Sequence, residues 1–172
     1  MQLVIQLKWK INEGALADIF LEPCTRNVYK LFLNGAHPRN QAQFLDCQFD
    51  GVRRLVFNDE CRAYQIAAAT EVLATQIPRF YGRTPIRAVV DGESVCSRFY
   101  LLDSCYCLEW ITGAATKLHP IDELSERHLA DIERRFHEAG ILYTRDASIF
   151  NRSDPQQLKL IDFAMKHHEF EL

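Results

Sequence analysis

Apolar and polar residues alternate along the first third of the chain with the two-residue period of β-strands. In residues 2–11 the apolar positions of one face are Leu3, Ile5, Leu7 and Trp9. Gly14 interrupts this alternation, which resumes in residues 17–21 and again in residues 27–33. The pattern therefore predicts three short antiparallel strands joined by tight connections.

The next stretch predicts a loop followed by the first helix. Residues 34–52 are mainly polar and contain Asn34-Gly35 and further turn-forming residues, which is typical of irregular structure. Asn58 is a predicted N-cap, and an alanine-rich run follows it. We therefore expect a helix over residues 59–76.

Two further strand patterns occupy residues 86–90 and residues 98–111. Asp91-Gly92 lies between them and is a strong signal for a hairpin turn. Together with the three N-terminal strands, these segments predict an antiparallel sheet of about five strands with one inserted helix.

After Pro120 the apolar period changes from that of a strand to that of a helix. One face of this predicted helix carries Ile121, Leu124, Leu129, Ile132, Phe136 and Ala139. Gly140 is its predicted C-terminal cap. A final strand is predicted over residues 158–163, after a turn at residues 153–155.

Composition and charge narrow the function classes. The chain has 172 residues, a net charge of −3 and a pI near 6.1, which predicts one globular domain and no nucleic-acid partner. Apolar runs are too short for a membrane span, and Lys8 and Lys10 interrupt the N-terminus where a signal peptide would be apolar. We expect a soluble cytoplasmic protein with reduced cysteines, no membrane partner and no metal at Cys105 and Cys107.

The last third of the chain holds an ordered set of polar residues suited to phosphoryl transfer. Transfer of the γ-phosphoryl group of ATP needs oxygen ligands for Mg²⁺, a cation on the phosphates and a group that orients the acceptor hydroxyl. The chain reads Thr144-Arg145-Asp146, then Asn151, then Asp162-Phe163-Ala164. This order resembles the protein-kinase-like superfamily, whose catalytic loop reads H-R-D-x-x-x-x-N and whose metal-binding turn reads D-F-G.

The resemblance implies a role for each of these residues. Asp146 would orient or deprotonate the acceptor hydroxyl, and Asn151 would hold one Mg²⁺. Asp162 would bridge Mg²⁺ and the phosphates. The strand that ends at Glu109 and Ile111 resembles the hinge that receives adenine, so these two residues are candidate nucleotide contacts.

The resemblance extends upstream in the correct order. Gly14 is the one glycine left of the family's phosphate-covering hairpin, and Lys30 matches the phosphate-binding lysine. Glu60 matches the family glutamate that pairs with this lysine, and Glu71 is the less favoured choice. Taken singly, Asp146 and Asn151 also suit turn caps, Asp162 suits the end of an edge strand, and Lys30 suits a solvated strand position.

Several positions depart from the family pattern. Thr144 replaces the histidine of the catalytic loop, and Ala164 replaces the glycine of the metal-binding turn. Ser148 stands where kinases that act on serine or threonine usually carry lysine. Only ten residues follow Asp162, so the activation segment and the substrate-binding helices of full-size kinases are missing. Acceptor recognition must therefore come from elsewhere.

The resemblance implies an α+β fold of the two-lobed protein-kinase-like type, formed by a single domain over residues 1–172. Residues 1–112 would form an N-terminal lobe with the five-stranded antiparallel sheet and one helix. Residues 113–172 would form a severely abbreviated helical C-terminal lobe.

The implied function is Mg-ATP-dependent phosphoryl transfer to a hydroxyl, with ATP and Mg²⁺, or Mn²⁺ in its place, as cofactors. An abbreviated C-terminal lobe favours a protein acceptor, since it leaves no enclosed pocket for a small one. Two alternatives stay open: a small-molecule phosphotransferase of the aminoglycoside-kinase type, favoured by Ser148, and a pseudokinase that binds nucleotide or partner proteins without transfer. No chemistry is predicted for His137 on the helix or for His167-His168, which we expect in a solvated tail.

Overall fold

The computed structural model describes residues 3–41, 48–111, 114–116, 123–144, 147–151, 154–166 and 168. The chain forms two compact units. The first takes in Met1–Asn58 and Tyr81–Trp110, and the second takes in Asp59–Phe80 and Ile111–Glu169. Residues 59–80, which we expected in the N-terminal lobe, therefore belong to the second unit.

The first unit contains the five-stranded antiparallel sheet that the sequence predicts. In spatial order its strands are β2 (Lys10–Glu13), β3 (Ala17–Leu21), β4 (Asn27–Leu33), β8 (Tyr100–Glu109) and β5 (Phe80–Arg83). Lys30 of β4 lies opposite Ile19 on one side and Tyr106 on the other. β4 is thus a central strand, as its run of apolar residues requires.

A second sheet of three strands was not predicted. It is formed by β1 (Leu3–Gln6), β6 (Ile86–Asp91) and β7 (Ser94–Val95), and β1 and β6 run parallel. The continuous strand predicted over residues 2–11 is wrong, because a 3-10 turn at Leu7–Trp9 interrupts it and passes the chain from one sheet to the other. The placement of residues 86–90 in the five-stranded sheet is also wrong, because these residues pair with β1 in the three-stranded sheet.

The predicted turn at Asp91-Gly92 is confirmed. Asp91 lies opposite Ser94, and Gly92 has a φ of +58°, a conformation that glycine adopts without steric cost. The turn joins β6 to the short strand β7, and β8 begins only at Tyr100.

Apolar side chains of both sheets form one core on a single face of the five-stranded sheet. Buried members of this core include Ile5, Phe20, Tyr29, Leu31, Leu33, Val89, Cys105 and Cys107. Burial raises the pKa of the Cys107 thiol to about 11, so the thiol stays protonated and serves packing. Successive strand residues point to opposite faces, which puts Lys30 and Phe32 on the other side of the sheet.

The long helix α2 (Gln48–Ala69) begins eleven residues before the predicted start at residue 59. The loop predicted over residues 34–52 is therefore wrong in its last part, and also at the short helix α1 (Pro38–Gln41). Arg53, Val56 and Phe57 are buried at helical spacing, and this packing stabilises the early turns of the helix more than local sequence preference does.

The C-terminal half of α2 confirms the predicted helix as far as Ala69. The Thr70 hydroxyl donates a hydrogen bond to the carbonyl of Ile66 (2.8 Å), and the chain continues in a short separate helix, α3 (Glu71–Ala74). Thr70 thus divides the predicted helix in two.

The second unit contains the predicted amphipathic helix, α4 (Glu123–Glu138), with Ile132 and Phe136 buried. Gly140 has a φ of +83° and ends the helix as predicted. Its amide donates to the carbonyl of His137 (2.9 Å), and the amide of Ile141 donates to that of Phe136 (3.0 Å). These bonds satisfy the last carbonyls of the helix.

Three antiparallel strands complete the described part of the second unit: β9 (Ala114–Thr116), β10 (Ala147–Asn151) and β11 (Asp154–Ile161), in the order β11-β10-β9. The strand predicted over residues 158–163 is confirmed as far as Ile161. The C-terminal lobe was expected to be mainly helical, with a single final strand over residues 158–163, so the three-stranded sheet is a correction. In the described residues of the chain, no helix is long and apolar enough to cross a membrane.

Candidate functional site

Lys30 lies on the face of the five-stranded sheet opposite the main core of the first unit. Its Nζ atom is 5.6 Å from the ring centre of Phe32 and 5.9 Å from that of Tyr106. The side chain is half-buried. Ring faces attract an ammonium group at this distance, so the sheet and its aromatic residues restrict the positions that Lys30 can take.

The rings around Lys30 continue into a row. The Phe57 ring of α2 lies 5.6 Å from that of Phe32 and 6.4 Å from that of Tyr106, stacked on the latter. The guanidinium of Arg83 lies 5.0 Å from the centre of the Phe57 ring. All three rings are buried, so they form core packing between the sheet and α2, and of this group only Lys30 and Arg83 reach the surface.

Gly14 precedes β3 at the turn between β2 and β3. Its amide donates to the carbonyl of Ala17 (2.8 Å), and a side chain at this position would bring a Cβ to 3.1 Å from that oxygen. Ala17 lies opposite Phe32, two positions along β4 from Lys30. Gly14 therefore lies at one end of the sheet, beyond the pair of Ala17 and Phe32, whereas Lys30 is the middle residue of β4.

Glu109 and Ile111, the predicted hinge residues, follow the same sheet. Glu109 is the exposed last residue of β8 and lies opposite Asn27, three positions along β4 from Lys30. The chain leaves the sheet at Trp110, so of the two predicted hinge residues only Ile111 lies beyond the strand ladder. Their contact with adenine stays a prediction.

Glu60 lies on the part of α2 that belongs to the second unit, where it is buried. The alternative residue, Glu71, is exposed in the first turn of α3. The pairing of Glu60 with Lys30 stays a prediction.

Asp162 occupies a strained position directly after β11. Its φ is +54°, and only two non-glycine residues among those described have a positive φ. A left-handed backbone costs a residue with a side chain about 1–2 kcal/mol, and such residues are frequent at functional sites. The half-buried Asp162 carboxylate is therefore held in its place at a cost to stability.

The neighbours of Asp162 explain what holds it. Phe163 is completely buried, with its ring centre 4.3 Å from that of Tyr64 and 5.1 Å from that of Phe136. Ala164 and Tyr143 exchange two backbone hydrogen bonds of 2.9 and 3.1 Å. The turn at Asp162 is thus anchored to the segment directly before Thr144-Arg145-Asp146.

The predicted catalytic loop is described only in part. Thr144 is buried, and its hydroxyl oxygen lies 3.4 Å from Nε2 of His137, which is exposed on α4. Asp146, the predicted acceptor-orienting residue, lies outside the described residues. Its role stays a prediction.

The structure does not bring Asn151 and Asp162 together. In the hairpin of β10 and β11, Asn151 lies opposite Asp154, while Ala147 lies opposite Ile161 at the other end. Along β10, Asn151 lies four positions from Ala147, about 13 Å at about 3.3 Å per residue. This register does not place Asn151 beside Asp162 at one Mg²⁺ ion, and the separate Mg²⁺ roles that the resemblance implies for the two residues stay predictions.

The cause of this difference is where the strand begins. β10 begins at Ala147, inside the predicted loop, and its apolar residues Ile149 and Phe150 pair with β11. Asn151 is therefore carried to the turn end of the hairpin. Among the described residues no group of three or more histidine, cysteine, aspartate or glutamate side chains is placed to hold a metal ion. Asp162 alone still fits Mg²⁺, which commonly takes one or two carboxylates, phosphate oxygens and waters.

Two polar arrangements were missed by the sequence prediction. His168, expected in a solvated tail, has Nε2 at 3.0 Å from an oxygen of Asp59, and both side chains are mostly buried. Asp18 is completely buried on β3 and accepts a hydrogen bond from the Tyr100 hydroxyl (2.8 Å). For the second arrangement the sequence offered one signal, the carboxylate of Asp18 inside the otherwise apolar strand pattern of residues 17–21.

Comparison with known proteins adds no relative to these observations: no family model, no curated protein and no solved structure matches this chain.

Proposed function

We propose that this chain is a Mg-ATP-dependent phosphotransferase of the protein-kinase type that transfers the γ-phosphoryl group to a hydroxyl. The observation that carries the proposal is the turn at Asp162. Asp162 has a left-handed backbone and lies between β11 and the completely buried Phe163. Backbone hydrogen bonds between Ala164 and Tyr143 attach this turn to the segment that precedes Asp146 in the sequence.

Each residue in the proposed reaction has a defined task. Lys30 binds phosphate oxygens, and Asp162 binds Mg²⁺ together with the phosphates. The acceptor oxygen attacks the γ-phosphorus, the bond from the γ-phosphorus to the β,γ-bridging oxygen breaks, and ADP leaves. Asp146 orients the acceptor hydroxyl and takes its proton. Mg²⁺, when bound, neutralises the charge that develops on the phosphates.

Lys30 and Arg83 support the phosphate part of the nucleotide site in this proposal. Both cations lie beside the rings of Phe32, Phe57 and Tyr106, which are buried and restrict the positions of the two side chains. Positive side chains of this kind suit the phosphates of a nucleotide. We propose a protein hydroxyl as the acceptor.

One observation favours a second candidate, a pseudokinase that binds nucleotide without transfer. The hairpin register moves Asn151 away from Asp162 and so removes one of the oxygen ligands that kinases use for the second metal ion. This candidate keeps the nucleotide site and lacks the chemical step.

The experiment that decides between them follows label from γ-labelled ATP in the presence of Mg²⁺, with a protein mixture and a metabolite mixture as acceptors. We expect label on protein with the wild type and none with Asp146→Asn. Label only on metabolites identifies a small-molecule phosphotransferase. Tight nucleotide binding without transfer to either mixture, or to water, identifies the pseudokinase.

A further inference from the structure

A buried carboxylate on β3 organises one end of the first unit. Asp18 has no exposed surface, and one of its oxygens accepts a hydrogen bond from the Tyr100 hydroxyl (2.8 Å). The other oxygen is paired with the guanidinium of Arg39, and the ammonium of Lys10 lies 3.8 Å from the carboxylate. A buried charge requires such partners, so Arg39 is held firmly at Asp18.

Arg39 also reaches the turn between β2 and β3. While Nη2 contacts Asp18, Nη1 donates a hydrogen bond to the carbonyl of Gly14 (2.9 Å) and lies 3.8 Å from a carboxylate oxygen of Glu13. The planar guanidinium offers several donors in a fixed arrangement, so a single side chain bridges the buried carboxylate and the turn.

A second arginine holds the other side of the same turn. The buried guanidinium of Arg53 donates to the carbonyl of Leu16 (3.1 Å), which also accepts from the amide of Leu33 (2.9 Å). Burial lowers the pKa of Arg53 to about 10, so the group remains charged at neutral pH. Residues from outside the hairpin therefore hold a carbonyl near each end of its turn.

Hairpin turns are usually among the looser parts of a fold, and a loose turn must be ordered when a ligand binds. We propose that Arg39, fixed by Asp18, is a positioning residue that holds the Gly14–Ala17 turn in its nucleotide-binding conformation before the nucleotide arrives. The inference rests on the proposed function, in which this turn covers the phosphates. It adds a residue that lies outside every segment through which the chain resembles kinases.

The test uses the full chain with Arg39→Gln, Arg39→Lys and a control, Arg54→Gln. Arg54 pairs with Asp103 and is more exposed than Arg39 (43% against 31% of the side chain), so the control loses an arginine ion pair away from the turn. Amide hydrogen exchange of the peptide covering residues 13–17 measures opening of the turn. Titration with Mg-ATP measures the Kd, and the transfer assay measures kcat.

We expect Arg39→Gln to speed exchange in this peptide and to raise the Kd for Mg-ATP about tenfold, a free-energy change of about 1.4 kcal/mol, with kcat within about twofold of the wild type. Arg39→Lys keeps the charge without the bridging geometry and should restore neither exchange nor Kd. The control should match the wild type in both.

Unchanged exchange in Arg39→Gln, or faster exchange with an unchanged Kd, overturns the inference while leaving the proposed function intact. Restoration of both readouts by Arg39→Lys also overturns it, since charge alone would then suffice. If the wild type itself does not bind Mg-ATP, the proposed function fails and this role of Arg39 fails with it. A loss of folding in Arg39→Gln would appear as fast exchange over the whole chain, and Arg39→Lys then carries the test alone.

Discussion

The left-handed backbone of Asp162 can be tested by comparing two substitutions that remove the same carboxylate, Asp162→Gly and Asp162→Ala. Both lose every contact of the side chain, so the difference between them depends on the backbone. At a φ of +54°, alanine suffers the steric cost of about 1–2 kcal/mol that glycine avoids. Glycine in turn loses about 0.5–1 kcal/mol more conformational entropy on folding.

The net expectation is that Asp162→Gly is more stable than Asp162→Ala by about 0.5–1 kcal/mol. The assay is urea unfolding, with the free energy of unfolding extrapolated to water for both variants under identical conditions. Equal m-values are required, because a change in m would mean that the unfolded or native states differ in compactness.

Asp103 provides a control of opposite sign. It is an exposed aspartate within β8, where the backbone is extended and glycine weakens a strand. Asp103→Gly should therefore be less stable than Asp103→Ala, by about 0.5–1 kcal/mol. If Asp162→Gly is also the less stable variant of its pair, the left-handed conformation at Asp162 is wrong, and with it the strained turn that carries the proposed function.

Three further predictions follow from single features. Asn151→Ala should leave the Kd for Mg-ATP within about twofold of the wild type in a calorimetric titration, because the hairpin places Asn151 far from Asp162; a loss of binding would contradict the register. Phe163→Ala should lower the free energy of unfolding by about 3–5 kcal/mol, since the ring is completely buried, whereas Leu142→Ala, at a 62% exposed residue, should change it by less than about 0.5 kcal/mol. Burial, with the nearby Arg39, lowers the pKa of His37, so the unfolded chain binds a proton first as the pH falls below about 6.5. Stability should therefore decrease towards about pH 5.5, and His37→Gln should flatten this part of the stability curve in thermal unfolding; an unchanged slope would contradict the assignment.

The sequence predicts those elements whose pattern is local. β3, β4 and α4 lie where apolar period and turn residues place them, and Gly140 ends α4 as expected. Lys30 was singled out only through the resemblance of residues 28–32 to the third strand of the kinase family. In each of these elements, burial follows directly from the spacing of apolar residues.

The missed features depend on contacts between distant parts of the chain. β1 pairs in parallel with β6, about eighty residues later, and no local period indicates this partner. The early start of α2 depends on the burial of Arg53 and Phe57, which overrides the turn-forming residues around Gly51. The alternating pattern before Gly14 also gives no sign that β1 and β2 belong to different sheets.

The candidate site, too, could be predicted from the sequence only in part. The order of Asp146, Asn151 and Asp162 is visible in the sequence, but the hairpin register between Asn151 and Asp162 is not, because strand pairing is set by where the apolar residues of β10 begin. The bridge from Asp18 through Arg39 to Gly14 joins three separate segments and was likewise not predicted.

The most direct test of the proposed nucleotide site is thermal unfolding of the wild type and of Asp162→Asn with ATP, in the presence of Mg²⁺ and of a chelator. At a ligand concentration of about a hundred times the Kd, binding adds about 2.7 kcal/mol, or roughly 5–10 °C in the midpoint for a chain of this size. The account predicts this increase only for the wild type with Mg²⁺. No increase in the wild type, or an equal increase in Asp162→Asn, would contradict it.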